Sequence, residues 1–243
     1  MELTKVEGIV LSSVKYKENS KVLNILTKEK GLIGVISKGC TNLKSPLRIV
    51  SENFSFANFY IYYKEDKLST LKEADPINYL LNIKSDIVKI GYLNYICDLT
   101  RNVLKENDSS KIYNLLKNAI LKIEEGFNPK VITNILEVKY LDFLGIGLCL
   151  DYCSVCSKQQ VVNISISRGG YVCSSHRTQE KQYLPATLKM IKAYYLIDIE
   201  KITRLDIKNE VIDEINQFLN IYYKEYSAIY LKSKTFLENI KDD

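Results

Sequence analysis

The chain has 243 residues, 46% of them hydrophobic and 26% charged, with a formal net charge of +5 at pH 7. That length admits one large domain or two to three small ones, and that balance excludes an intrinsically disordered chain. The first seven residues carry charges where an export signal needs apolar ones, and the longest apolar segment, residues 140–150, contains Asp142 and is far short of a bilayer span, so a cytoplasmic protein without a membrane anchor is expected.

Five strands are expected over residues 6–14, 21–27, 32–37, 54–63 and 68–71, each rich in apolar and β-branched side chains. Lys28-Glu29-Lys30-Gly31 and Lys64-Glu65-Asp66 are short enough to be hairpin turns. Five strands in so short a stretch predict a small closed barrel; the OB-fold fits that count, and an SH3-like barrel fits the bare pattern almost as well. Between residues 15 and 48 the segment holds eight basic residues, Lys15, Lys17, Lys21, Lys28, Lys30, Lys38, Lys44 and Arg48, against only Glu18 and Glu29. Such a stretch suits a polyanion, and it also suits a solvated charged face. Tyr60, Tyr62 and Tyr63, among 18 tyrosines, are either base-stacking platforms or half-buried packing residues.

Asp75-Pro76 is expected to end the strands, and from Leu80 the apolar period becomes helical, which sets a barrel domain at 1–79 and a helical domain at 80–243. Leu80, Ile83, Ile87, Ile90, Leu93 and Ile96 recur at three- and four-residue steps, as do Ile112, Leu115, Leu116, Ala119 and Ile120. Asn128-Pro129 supplies a cap and a first-turn proline for the next helix, which Gly145 and Gly147 stop. Past residue 180, Pro185 opens one helix and Asn209 caps another. The adjacent acid pairs Glu124-Glu125 and Asp213-Glu214 read as solvated helix surface, because neighbouring helical residues point apart.

Between these helices lie Cys153, Cys156, Cys173 and the chain's only histidine, His176, as a CxxC and a CxxH separated by sixteen residues. Each two-residue spacer lets a tight turn place two ligands on one ion, and the thiolate and imidazole set points to one tetrahedral Zn²⁺. Val161, Val162, Ile164 and Ile166 form a strand-like run that Gly169-Gly170 can turn back toward the second knuckle, giving a zinc-ribbon-like segment over 149–178. Four protein ligands leave no open position, which makes the metal structural. A disulfide framework and a CxxC redox pair fit the context less well. Cys40, Cys97 and Cys149 are assigned as non-ligands. Walker, Rossmann, zincin and nucleophile-elbow motifs are missing, so no enzymatic activity is expected.

The order of parts resembles the family of the bacterial recombination mediator RecO, as do Glu7-Gly8-Ile9-Val10-Leu11, Thr27-Lys28-Glu29-Lys30-Gly31, Lys38-Gly39 with Ser45, Gly145 before the first knuckle and Gly169-Gly170 before the second. The resemblance implies an OB-fold N-terminal domain and a role in DNA repair by recombination. It further implies binding of single- and double-stranded DNA, annealing, work with RecR, contact with the C-terminal tail of single-stranded DNA-binding protein, indirect loading of RecA, and association with the nucleoid. His176 stands where a fourth cysteine is frequent in that family. On the barrel, Lys15, Lys17, Lys21, Lys38, Lys44 and Arg48 are the expected phosphate contacts. The alternative is a zinc-stabilised adaptor for other proteins that does not touch DNA.

Overall fold

Five strands, β1 (Leu3–Tyr16), β2 (Ser20–Thr27), β3 (Gly31–Ser37), β4 (Phe56–Tyr62) and β5 (Ser69–Asn78), close into a barrel in the order β1-β2-β3-β5-β4. The computed structural model describes residues 2–107 and 109–239. β1 pairs with β4 through its first half and with β2 through its second, and a bulge between Val10 and Ser12 lets it bend from one to the other. Closure comes from a parallel contact between β3 and β5, Val35 opposite Ser69 and Ile36 opposite Thr70. This strand order, with a parallel β3–β5 seam, is that of an OB-fold and removes the SH3-like alternative. Period-two alternation puts Val6 and Val10, Leu23 and Ile25, and Ala57, Phe59 and Ile61 inside one core.

β5 runs on through Asp75-Pro76, where the sequence pattern had it stop. Pro76 falls where the β4–β5 register shifts between Phe56 and Ala57, so its missing N–H interrupts no regular ladder.

The helices that follow the barrel are α1 (Leu81–Lys84), α2 (Ile87–Val103) and α3 (Ser109–Glu124). Asp86 separates the first two, because its carboxylate accepts from the backbone N–H groups of Val88 and Lys89 and so starts a new helix. Glu124, expected to be solvated, accepts from the N–H groups of Asn82 (3.1 Å) and Ile83 (2.9 Å), so the end of α3 caps the start of α1. The barrel is tied to α3 by Glu7, whose Oε1 accepts from Tyr113 Oη (2.8 Å) and Lys117 Nζ (2.7 Å). Desolvation opposes ionisation of Glu7, but these two donors outweigh it and hold its carboxyl below the usual range. Gly31 (φ +65°) turns β2 into β3.

The change from strand to helix falls at residues 79–80, whereas the packing units divide later. Barrel, α1–α3 and α7 (Lys232–Asn239, from Ser233 onward) form one compact unit, and residues 125–232 form the other.

In the second unit, α4 (Pro129–Phe143) starts at Asn128, whose Oδ1 accepts from Lys130 N (2.9 Å) and Val131 N (3.3 Å), and ends before Gly145 (φ +71°). α5 (Pro185–Leu196) is capped from a distance by Glu214 of α6 (Asn209–Tyr226), whose Oε2 accepts from Leu184 N and Thr187 Oγ1. Asn209 is the first residue of α6 rather than its cap, a place taken by Lys208 without a side-chain bond. Tyr183, Phe218, Tyr222 and Tyr226 pack in a column, and the last two donate to the Ile146 and Ile166 carbonyls, which accounts for much of the tyrosine usage here as packing with a bonded hydroxyl.

Candidate metal centre and nucleic-acid surface

Between α4 and α5, β6 (Asn163–Ser165) and β7 (Gly170–Val172) form the expected hairpin. Cys149 lies along β7, donating its N–H to Gly169 O and accepting from Tyr171 N, both at 2.9 Å. Gly170 permits that approach, since a Cβ there would stand 2.7 Å from the Cys149 nitrogen and collide with its carbonyl oxygen. The first knuckle is a tight turn, with Ser157 N donating to Cys153 O and Cys153 N to Lys158 O, both at 2.8 Å, and Ser154 N bonds Tyr171 O to fix it to β7. The second is the 3₁₀ turn Ser174–His176.

These turns bring Cys153 Sγ, Cys156 Sγ, Cys173 Sγ and the His176 ring together, all within 4.8 Å of one another. Cys153 Sγ and Cys173 Sγ lie 3.7 and 3.4 Å from His176 Nδ1, and Cys156 Sγ lies 3.7 Å from Cys173 Sγ. A tetrahedron with metal–sulfur bonds of about 2.3 Å has edges of about 3.8 Å, so the group can hold one metal ion. Burial works against ionising Cys153, yet backbone N–H groups of Cys173, Val155 and Cys156 pull its thiol down to about 6, which favours the ligating thiolate. Cys149 stands apart with its thiol on Tyr152 O (3.4 Å), and Cys40 and Cys97 are buried elsewhere.

The strand register gathers the six barrel cations at one end. Lys15 is opposite Lys21, which is opposite Ser37, so the start of β2 sits between the end of β1 and the residue preceding Lys38. Thr41, in the segment joining β3 to β4, donates its N–H to Asn19 O (3.5 Å) in the β1–β2 turn, which brings the Lys44 and Arg48 segment to the same end. Lys21 is ion-paired with Glu52 at 2.8 Å, and Lys17 Nζ lies 5.4 Å from the centroid of the Tyr16 ring. Lys15, Lys38, Lys44 and Arg48 are exposed and form no ion pair among the described residues.

Lys28 and Lys30, part of the same run in sequence, sit at the opposite end in the β2–β3 turn. There Lys30, Lys64 and Lys67 ring a cavity of about 440 Å³, with Lys30 Nζ 5.1 Å from the Tyr63 ring centroid. The interleaved acids Glu65 and Asp66 masked this second group in the sequence. The second unit adds an apolar groove of about 740 Å³ between the hairpin and α5, lined by Leu150, Val162, Tyr171, Leu188 and Leu196, with Lys189 and the Lys192–Asp151 ion pair (2.9 Å) also in its lining. No helix among the described residues is long and apolar enough to cross a membrane.

Two family models match the chain: Recombination protein O N terminal over residues 1–80 and Recombination protein O C terminal over residues 84–235. Among curated relatives named DNA repair protein RecO, that of Bacillus velezensis is 32% and that of Bacillus subtilis 31% identical over 246 residues, and that of Listeria monocytogenes serotype 4a is 30% identical over 245. Each alignment covers 98% of this chain and 95% of the relative. An OB-fold barrel, a helical region and a four-ligand hairpin, aligned over nearly their full length with these proteins, make the chain a member of the RecO family of DNA repair proteins.

Proposed function

We propose that the chain is a nonenzymatic recombination mediator, acting in the cytoplasm at the nucleoid. It binds single- and double-stranded DNA, anneals complementary strands and, with RecR, helps load RecA onto DNA coated by single-stranded DNA-binding protein. The observation that carries this reading is the gathering of Lys15, Lys17, Lys21, Lys38, Lys44 and Arg48 at one end of the barrel, five of the six without an ion-pair partner among the described residues. Cations so placed neutralise phosphates and release condensed counterions, so affinity falls steeply with salt and depends little on sequence. Covering the phosphates of two strands lowers their mutual repulsion, which is what annealing requires and which needs no acid, base or nucleotide. In this reading residues 1–79 are the nucleic-acid domain and 80–243 the helical domain with its metal segment at 149–178.

Cys153, Cys156, Cys173 and His176 would hold one structural Zn²⁺, which when bound cross-links the two knuckles of a hairpin too small to own a core. The apolar groove with Lys189 in its lining suits the acidic, apolar-ended tail of single-stranded DNA-binding protein. That groove also favours the second reading, a zinc-stabilised adaptor without DNA contact, which predicts salt-independent partner binding and no DNA affinity.

Triple charge reversal at Lys38, Lys44 and Arg48 is expected to weaken binding of a labelled single strand at least ten-fold. It should also reduce the slope of log affinity against log salt by roughly two, at about 0.7 per phosphate contact on single strands. Annealing of strands precoated with single-stranded DNA-binding protein should fall in parallel. Affinity unchanged by the reversals and flat in salt would remove the barrel as the DNA site and leave the adaptor.

A further inference from the structure

Leu43 is 81% exposed, the most exposed large apolar side chain among the described residues. It stands in the segment between β3 and β4, next to Lys44 and between Lys38 and Arg48. The segment is an ordered series of turns: Asn42 N donates to Gly39 O (3.3 Å), Ser45 N to Asn42 O (3.0 Å) and Arg48 N to Ser45 O (3.2 Å). Ser45 Oγ also accepts from Leu47 N (3.3 Å), and Thr41 N reaches Asn19 O in the neighbouring turn. So much backbone bonding holds an apolar tip in water instead of folding it inward. Val14 (61%) and Tyr16 (38%) are exposed at the same end of the barrel, flanking Lys15 at the end of β1.

Phosphate neutralisation alone gives such tips nothing to do, and a duplex offers them only phosphates and groove edges because its base faces are stacked inside. A single strand offers both chemistries at nucleotide spacing, phosphates for the cations and open base faces for the apolar groups. We propose that Leu43 is a base-contacting tip that makes this end of the barrel prefer unpaired strands over duplex, with Tyr16 as its neighbour on the same strand. The inference rests on the DNA-binding reading above and adds to it a contact that carries no charge.

The chain contains no tryptophan, so Leu43→Trp introduces a single indole reporter at an exposed position. Emission of this variant is expected to fall by roughly half or more on saturation with an oligothymidylate, as stacked bases quench indole, and to change little with a blunt duplex. In parallel, Leu43→Ala should lose roughly five-fold in single-strand affinity with the salt slope unchanged, since no phosphate contact is removed. Anisotropy of the labelled oligonucleotide, read in the same samples, separates the two levels. Strand bound but indole unquenched, Leu43→Ala neutral, or equal quenching by duplex each overturns the role of Leu43 and leaves DNA binding standing. No anisotropy change with wild type removes the DNA-binding reading and this inference with it. An emission blue shift on phosphatidylglycerol vesicles without quenching by the strand reassigns the tip to an anionic membrane surface and equally overturns it.

Discussion

In the barrel, ten buried apolar side chains contributed mainly by five strands enclose one core, whereas the β6–β7 hairpin has strands of three residues each and gathers four ligand atoms within 4.8 Å. The first region is ordered by burial and leaves its rim free to carry unpaired charge. The second gathers its cysteine and histidine side chains into one possible metal site. A cation lost from the barrel rim should therefore alter binding and spare the fold, while a ligand lost from the hairpin should alter the fold of that segment first. For this chain, the residues most easily recognised are not the ones expected to touch DNA.

The largest effect that tests this contrast is expected from Cys173→Ser. Structural zinc supplies roughly 10–16 kcal/mol in small metal-dependent folds, so the variant should lose its one metal ion and become protease-sensitive across residues 149–178. Its barrel should keep its single-strand affinity. A metal-free wild type that resists protease equally well would end the idea that the hairpin depends on metal.

Phe59→Ala should act the opposite way. Phe59 is fully buried in the barrel core, and removing its ring is expected to cost about 3–5 kcal/mol. Thermal unfolding and DNA affinity should suffer together while metal content stays at one per chain. Loss of metal in this variant would show that the two regions do not stand independently.

The smallest effect is expected at Glu7→Gln, which replaces the acceptor of Tyr113 and Lys117 with a neutral one. Charged hydrogen bonds are worth more than neutral ones, but Glu7 remains partly exposed, so a loss of about 1 kcal/mol at neutral pH is expected. Because the folded carboxyl lies below its ordinary range, its contribution is complete above the unfolded value of about 4.3 and declines as pH falls from there through the folded value. Urea midpoints measured through that acid window should converge for wild type and variant. A constant difference down to the lowest pH would mean the tie is not ionic.

The two regions were also unequally legible from sequence. Metal ligation uses rare residue types at fixed local spacing, so Cys153, Cys156, Cys173 and His176 stood out before any fold was known and come together in the structure. Strand positions were readable from alternation, since one face of each strand must enter the core. What escaped depends on distant partners. The continuation of β5 through Pro76 needs the register shift in β4, and the capping roles of Glu124 and Glu214 need α1 and α5 beside them. The run of eight cations reads as one patch along the chain, but a β-turn sends Lys28 and Lys30 to the other end of the barrel. α7 had no strong apolar period to announce it, with Ser233 its buried position among the side chains described.

The barrel is sealed along β3 and β5 by only two facing residue pairs, Val35 with Ser69 and Ile36 with Thr70, joining positions 34 apart in the chain. The β1–β2–β3 meander can form through short turns, but this seam must wait until β4 and β5 have been threaded back, and so long a loop closure slows folding. The seam is thus expected to close last. Amide protons of residues flanking it should exchange by local opening well before those of the meander, and a polypeptide newly released by the ribosome should gain DNA affinity only once the seam shuts.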